Sequence, residues 1–153
     1  MEKTLVILKP SCVQRSLIGE VVSRFEKKGL RLVGMKMVQL DDNVLNEHYA
    51  HLKDKPFFQE VKNSMQACPV IVLCWEGVDA TQVVRSIVGF TCGRNAVAGT
   101  IRGDFSVSMQ ENIVHASDSV ESAEKEIKRF FKEEEIFDYK LSVLSFLYSE
   151  SEI

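Results

Sequence analysis

Residues 3–29 read KTLVILKPSCVQRSLIGEVVSRFEKKG, and this stretch defines the first strand and the first long helix of the fold. Lys3 to Leu8 is an apolar run of strand length, and Pro10 ends it because proline has no N–H for a sheet ladder. The next apolar residues, at i, i+3, i+4 and i+7, are Ile18, Val21, Val22 and Phe25. That spacing lines one face of a helix, and Gly29 is placed to end it. The stretch therefore predicts a strand followed by a helix.

Three further strands are predicted from apolar patterns. Leu30 to Leu40 mixes β-branched and long apolar residues without a helical period, and Val70 to Trp75 is fully apolar. Phe105, Val107 and Met109 alternate with serines, which is the pattern of a half-buried strand.

Helices are predicted between and after these strands. The predicted starts are Asp41, Pro56, Asp79 and Asp118. An aspartate accepts hydrogen bonds from the free N–H groups of a first helical turn, and proline suits that turn as well. Glu121 lies three residues after Asp118, at the position of a capping box. Gly89 is predicted to end the helix that Asp79 begins.

The order of the main elements is strand, helix, strand, strand, helix, strand and a trailing helix. This split βαβ order predicts an α+β fold of the ferredoxin-like type, a sandwich whose four-stranded antiparallel sheet is covered on one face by helices. The chain contains no repeat, low-complexity tract or linker, so residues 1–153 are predicted to form a single domain. Such a fold alone does not specify a reaction.

The composition excludes several classes of protein. The 153 residues are 45% apolar and 27% charged, which is typical of a globular domain with a real core. The net charge of −3 excludes bulk attraction to nucleic acid or to an anionic membrane as the main function. No apolar run approaches the roughly 18 residues of a spanning helix. The four cysteines have no C-x-x-C spacing, so we expect reduced cysteines in a cytoplasmic protein.

Two features depart from an ordinary globular pattern. From Gly89 to Asn112 the chain has no clear helical period, and loops of this length are often functional. His115 stands apart from the helix that carries His48 and His51. A neutral imidazole is a nucleophile near pH 7 when one nitrogen is free and the ring is held. Taken singly, these features also suit a solvated loop and a structural histidine.

Cations and aromatic residues add weaker signals. Lys9, Arg85 and Arg102 form no phosphate loop of the G-x-x-x-x-G-K-[ST] type, so any phosphate would be bound by separated side chains. In the pair Phe57 and Phe58, one ring can face the core while the other stacks on a base. Surface charges and core rings are the alternative interpretations.

These signals coincide in six segments: LVILKP from Leu5, VQR from Val13, EHY from Glu47, KPFF from Lys55, GTIRGD from Gly99 and NIVHASDS from Asn112. Together they resemble the nucleoside diphosphate kinase family, and the resemblance is collinear from Lys3 to about Tyr139. The segment around His115 is the most specific of the six.

The resemblance implies ping-pong phosphoryl transfer. In this reaction His115 attacks the γ-phosphate of a nucleoside triphosphate, becomes a phosphohistidine and passes the group to a different nucleoside diphosphate. Glu126 and Ser117 would orient the ring of His115, and Tyr49 would contact the transferred group. Mg²⁺ would arrive on the nucleotide phosphates, with no metal ligand supplied by the chain.

The resemblance also implies the residues that bind the nucleotide. Lys9 and Asn112 would hold the ribose 3′-hydroxyl and its neighbouring phosphate, and Phe57 would stack on the base. The phosphates would be bound by Arg85, Thr91 and Arg102. A base held by stacking alone is not told apart from other bases, so broad specificity is expected. Relatives with a tail like Ser142 to Ile153 are more often hexamers, so a homo-oligomer is expected, with a hexamer favoured over a tetramer.

The chain departs from the family pattern at a few positions. These are Ser11, Cys12, Cys92, Gly93, Ala98, Met109 and Ala116. Met109 stands where a β-branched residue elsewhere backs the base. Related sequences carry proline where this chain has Gly93 and Ala98, so a looser loop is expected here. None of these changes removes a proposed catalytic group.

Two other functions compete with this interpretation. A catalytically silent nucleotide-binding or regulatory module would have no physical reason to keep all of the proposed catalytic and phosphate-binding residues. A DNA-binding protein would need a basic stripe, which the net charge of −3 and the spread of lysines and arginines do not provide.

Overall fold

Four strands and eight α-helices form the structure, a computed structural model that describes residues 1–153. The strands are β1 (Glu2–Leu8), β2 (Arg31–Val38), β3 (Val70–Gly77) and β4 (Val114–Ala116). The helices are α1 (Pro10–Gln14), α2 (Ile18–Lys28), α3 (Asp42–His48), α4 (Phe58–Gln66), α5 (Ala80–Val88), α6 (Ile101–Phe105), α7 (Val120–Phe130) and α8 (Leu144–Leu147). No helix combines the length and the apolar character that a membrane crossing requires.

The strands form one antiparallel sheet in the order β2-β3-β1-β4. The two outer strands of the sheet are β2 and β4, and the first strand of the chain lies inside it. This order and the helices that follow β1 and β3 confirm the predicted ferredoxin-like fold.

Helices cover both faces of the sheet, so the expectation of a single covered face is wrong. Val6 and Leu8 of β1 point to one core, which contains Phe25 of α2 and helix α5. Leu5 and Ile7 point to a second core with α3, α4 and α7. A strand buried on both faces reads as a continuous apolar run rather than as an alternation, and β1 and β3 have this pattern.

Two of the predicted helix caps are wrong. Asp79 lies in the left-handed region with φ +50° and makes no side-chain cap. A carboxylate oxygen of Glu2, at the start of β1, accepts a hydrogen bond from the N–H of Thr81 at 2.7 Å. Strand β1 thus supplies the cap that Asp79 does not.

At the other helix, the cap is Ser119 in place of Asp118, and its hydroxyl accepts from the N–H of Ser122 at 3.1 Å. Asp118 instead pairs with Arg85 at 2.8 Å. Glu121 pairs with Lys125 rather than closing a capping box. The caps at Asp41 and Gly29 are confirmed: Asp41 accepts from a backbone N–H of α3, and Gly29 has φ +99° at the end of α2.

The predicted strand at Phe105, Val107 and Met109 is also wrong. Phe105 ends α6, and the side chains of Val107 and Met109 are 79% and 59% exposed. The serines between them bond to the local backbone: the hydroxyl of Ser108 accepts from two following N–H groups. The fourth strand begins only at Val114, because residues 114–116 pair with the free edge of β1.

The loop between α5 and β4 is well packed at Gly93, where a looser loop was expected. The N–H of Gly93 donates to the carbonyl of Ser108 at 3.0 Å. A Cβ atom at this position would lie 2.3 Å from the carbonyl oxygen of Ser106. Glycine is therefore required here by a close approach of two backbone segments.

Candidate active site

A cleft of about 590 Å³ opens beside the end of β1 and β4. Its walls come from α3, α4, α5, α7 and the loop that leads into β4. Every predicted site residue lines this cleft except Ser117, which lies behind Glu126. The structure thus brings together residues that are more than one hundred positions apart in the sequence.

His115 and Glu126 form a hydrogen-bonded pair in the cleft. Strand β4 positions His115, and α7 positions Glu126 so that its Oε2 lies 2.9 Å from Nε2 of His115. The hydroxyl of Ser117 donates to the same oxygen at 2.8 Å. Burial alone would raise the pKa of Glu126, but these hydrogen bonds and the neighbouring histidines outweigh burial and lower it. The carboxylate is therefore ionised and accepts a hydrogen bond from Nε2–H, which leaves the lone pair of His115 on Nδ1.

The backbone just before His115 is strained. Ile113 is fully buried and has φ +73°, a rare conformation for a β-branched residue. The N–H of Val114 donates to the carbonyl of Asn112 at 2.8 Å, so these three residues form a γ-turn. The turn lets the side chains of Asn112 and His115 line the same cleft. Strain of this kind is concentrated at functional sites.

Lys9 lies almost buried at the end of β1. Its ammonium group donates to the carbonyl of Gln110 at 2.6 Å and to Oδ1 of Asn112 at 2.9 Å. Burial, joined by the charge of Arg102 and opposed by that of Glu111, lowers the pKa of Lys9 to about 8. The amide of Asn112 donates in turn to the carbonyl of Thr91. Lys9 is therefore a cation held in place at the cleft.

Two arginines complete the positive wall. The guanidinium of Arg102 donates to the carbonyls of Gly89, Asn112 and Val114, which fixes its plane. Burial and the charge of Arg85 lower its pKa to about 10, so it stays charged at neutral pH. Arg85 is more exposed and is paired with Asp118. The cleft therefore presents three cationic side chains from separate segments, Lys9, Arg85 and Arg102.

Apolar and aromatic side chains line the mouth of the cleft. Phe57 lies just before α4 and is 44% exposed. Met109 lies in the loop that leads into β4 and is also exposed. Tyr49 lies deeper, where burial and the charge of Glu126 raise its pKa to about 12 and keep the phenol protonated. A protonated phenol is a hydrogen-bond donor for an anion.

Sequence reasoning missed His48 as a site residue. His48 falls on the buried stripe of its helix, so its pattern is that of a core residue, and only its neighbour Tyr49 was assigned a role. In the structure its ring meets that of His115 edge to face, with centroids 4.6 Å apart. The segment EHY was the available signal, since it carries Tyr49 directly after His48.

His48, His115 and Glu126 are the one group in the structure with the spacing of metal ligands, with one ligand atom of each within 4.8 Å of the others. The guanidinium of Arg129 donates to Nδ1 of His48 at 3.0 Å, so a fixed cation lies next to this group. A second cation beside it would be repelled. The group is thus better suited to orienting a ring than to binding a metal.

The comparisons with known proteins agree with this geometry. The family model described as nucleoside diphosphate kinase matches residues 2–136. The chain is 70% identical over 152 residues to a nucleoside diphosphate kinase of Parabacteroides distasonis, which covers 99% of both chains. It is 47% identical over 147 residues to nucleoside diphosphate kinase A of Canis lupus familiaris, covering 96% of this chain and 97% of the relative.

Among solved structures, a nucleoside diphosphate kinase from Halobacterium salinarum in complex with CDP superposes with a TM-score of 0.94. It is 41% identical in sequence, and the match covers 96% of this chain and 98% of that one. A family protein from Babesia bovis matches with a TM-score of 0.93 at 42% identity and covers 97% and 100% of the two chains. Fold, cleft and sequence therefore agree: the chain belongs to the nucleoside diphosphate kinase family.

Proposed function

We propose that this nucleoside diphosphate kinase transfers the γ-phosphate of a nucleoside triphosphate to a nucleoside diphosphate through a phosphohistidine on His115. The observation that carries the proposal is the hydrogen bond between Nε2 of His115 and Glu126, because it leaves Nδ1 with a lone pair. This nucleophile lies in a cleft whose wall holds Lys9, Arg85 and Arg102.

In the first half-reaction, Nδ1 attacks the γ-phosphorus atom. A nitrogen–phosphorus bond forms, the bond from that phosphorus to the β,γ-bridging oxygen breaks, and the electron pair leaves with the diphosphate. The imidazole ring keeps its proton on Nε2 and gains positive charge, which the Glu126 carboxylate neutralises. In the second half-reaction, a terminal oxygen of another diphosphate attacks phosphorus and returns the lone pair to Nδ1.

The chain's cations act on the transferred group. Charge accumulates on the equatorial oxygens during phosphoryl transfer, and preorganised donors at that point lower the barrier. Lys9, Arg85 and Arg102 are the charged donors, and Tyr49 adds a neutral one. Thr91 and Asn112 would bind the remaining phosphate and ribose oxygens. Mg²⁺ enters on the nucleotide phosphates as part of the substrate.

The base would lie at the mouth of the cleft between Phe57 and Met109. Both side chains offer apolar surface, and stacking does not distinguish one base from another. The relative from Halobacterium salinarum was solved with CDP, which supports a nucleoside diphosphate as ligand of this cleft.

The setting of the enzyme is part of the proposal. We propose one domain over residues 1–153, a homo-oligomer that is a hexamer, and a location in the cytoplasm. The four cysteines are free, as expected in a reducing compartment.

Labelling with γ-³²P-ATP in the absence of an acceptor tests the chemistry. The parent should take a label that is acid-labile and alkali-stable, as phosphohistidine is, and should release it to added diphosphate. His115→Ala should take no label and lose exchange, whereas His51→Ala is the matched control and should still be labelled. Exchange by His115→Ala within tenfold of the parent would contradict a covalent route.

A further inference from the structure

His48 carries a buried polar atom that the proposed reaction does not explain. The residue is 6% exposed, and its Nε2 is fully buried without a hydrogen-bond partner. A buried donor or acceptor left unpaired costs about 1–3 kcal/mol, so such atoms in native proteins need an explanation.

Arg129 determines which nitrogen of His48 carries the proton. Its guanidinium lies 3.0 Å from Nδ1, and a guanidinium can only donate. Nδ1 therefore accepts, and in the neutral ring the proton is on Nε2. Arg129 is itself held by Glu47, whose Oε1 lies 3.0 Å from its Nε. The unpaired atom of His48 is thus an N–H donor.

The surroundings keep His48 neutral. Burial and the neighbouring cationic groups lower the pKa of His48 to about 3, although Glu126 opposes this shift. The titratable and charged groups that face it are His115 on β4, Glu126 and Arg129 on α7, and His51 just after α3. A neutral His48 adds no charge next to the ring that becomes positive during transfer.

Glu126 has acceptor capacity to spare. Both hydrogen bonds that it receives, from His115 and from Ser117, end on Oε2. A carboxylate accepts at both oxygens. One ring nitrogen of His48 and one carboxylate oxygen of Glu126 lie within 4.8 Å of each other, so the two side chains are direct neighbours.

We propose that His48 is a positioning residue for His115: its Nε2–H, placed by Arg129, donates to Glu126 and so holds the carboxylate that orients the nucleophile. The order of donors is then set along the whole chain of groups. Arg129 donates to His48, His48 donates to Glu126, and Glu126 accepts from Nε2 of His115. The ionised carboxylate of Glu126 alone fixes the lone pair of His115 on Nδ1, and His48 acts by limiting how that carboxylate can turn.

The inference rests on the proposed role of His115, and two substitutions of His48 test it. His48→Phe keeps a ring in contact with His115 but removes the N–H, whereas His48→Gln accepts from Arg129 and still offers an N–H to Glu126. In single-turnover labelling with γ-³²P-ATP, His48→Phe should be slower by on the order of 10- to 100-fold, as for other groups that orient a functional imidazole. ADP affinity should stay within about twofold. His48→Gln should recover most of the rate.

Arg129→Met adds a test on the other side of His48. It leaves the His48 ring in place but removes the donor to Nδ1, so the proton of His48 can lie on either ring nitrogen. Labelling should therefore slow. Lys128→Met, on the exposed side of the same helix, is the matched control and should label at the parent rate. A His48→Phe variant that labels as fast as the parent would overturn the inference, and so would a His48→Gln variant no faster than His48→Phe.

¹⁵N NMR of the parent provides a measurement that does not depend on the folding of any variant. His48 should show the neutral Nε2–H tautomer throughout pH 5 to 8. A proton on Nδ1, or titration of His48 in this range, would overturn the inference. A parent that takes no label would instead contradict the proposed function, so the two failures are distinguishable.

Discussion

At the scale of single residues, Glu126 holds the ring of His115 through one carboxylate oxygen. Glu126→Gln keeps an acceptor for Nε2–H but loses the charge that balances the phosphorylated ring. We expect self-labelling to persist and to slow by on the order of 10- to 100-fold in rapid-quench experiments. The matched control is Glu124→Gln, an exposed position of the same helix, which should not change the rate. An unchanged rate in Glu126→Gln would mean that the carboxylate is only a helix charge.

Lys9 predicts a pH dependence because burial lowers its pKa to about 8. Above that pH the folded protein loses the Lys9 charge, so the KM for nucleoside diphosphate should rise by on the order of tenfold per pH unit at most. The rise should be absent in Lys9→Met, whose KM should be high throughout. A parent KM that stays flat from pH 7.5 to 9.5 would contradict this.

The stability of the fold should increase over the same pH range in which the affinity for nucleotide falls. Between pH 8 and 10.5 the unfolded chain keeps the Lys9 proton that the folded chain has released. The Lys9 contribution to the free energy of unfolding therefore increases with pH in this window. Urea unfolding of the parent and of Lys9→Met at pH 7.5 and 9.5 measures this difference.

Phe57 offers a half-exposed ring at the mouth of the cleft. If it stacks on the base, Phe57→Ala should weaken the binding of all nucleotides by a similar amount, on the order of 1 to 3 kcal/mol. Calorimetric titration with ADP, GDP, CDP and UDP measures the effect. A loss limited to purines or to pyrimidines would show that polar groups read the base.

At the scale of elements, the loop before β4 has two positions, Gly93 and Ala98, where related sequences carry proline. Introducing proline at these two positions is expected to change stability in opposite directions. Ala98 is exposed, and the N–H of Thr100 donates to the carbonyl of Val97 across it. Gly99 has φ +96°, so residues 97–100 have the geometry of a type II turn with Ala98 at the position that proline prefers. Ala98→Pro should stabilise the fold by about 0.4 to 1 kcal/mol, because proline lowers the conformational entropy of the unfolded chain.

Gly93→Pro should do the reverse. It removes the N–H that donates to Ser108 and adds atoms where a Cβ already meets the carbonyl of Ser106. Thermal melts of both variants give the sign of each effect, and exchange activity of Ala98→Pro should stay within a few-fold. A lower midpoint for Ala98→Pro would show that the turn does not tolerate a proline ring.

At the scale of the whole molecule, several large apolar side chains are exposed on the surface of a single chain. Met35 and Met37 are exposed on β2, an outer strand of the sheet. Phe146 in the C-terminal segment is also exposed. Exposed apolar patches and free strand edges mark protein contacts.

If the proposed assembly is correct, sedimentation velocity at micromolar concentration should give a hexamer. In a urea series, Ala98→Pro should dissociate later than the parent if the loop lies at a subunit contact, because each copy gains the same rigidity. A tetramer, or a monomer at all concentrations, would contradict the proposed assembly.

The sequence alone predicted most of the element types and, through the family resemblance, the candidate site residues. Apolar periods reveal which face of a segment is buried, so β1, β3 and most of the helices were predictable. The segment around His115 has a specific residue order, and through the family resemblance it pointed to His115 as the candidate nucleophile before any geometry was known.

Only the tertiary structure decided which groups meet across elements. The alternation at Phe105 to Met109 is local, whereas the fourth strand forms where β1 has a free edge, at Val114 to Ala116. The covering of both sheet faces, the cap from Glu2 and the position of His48 between Arg129 and His115 have the same origin. Local patterns report burial along one segment, but hydrogen-bond partners distant in sequence are fixed by packing.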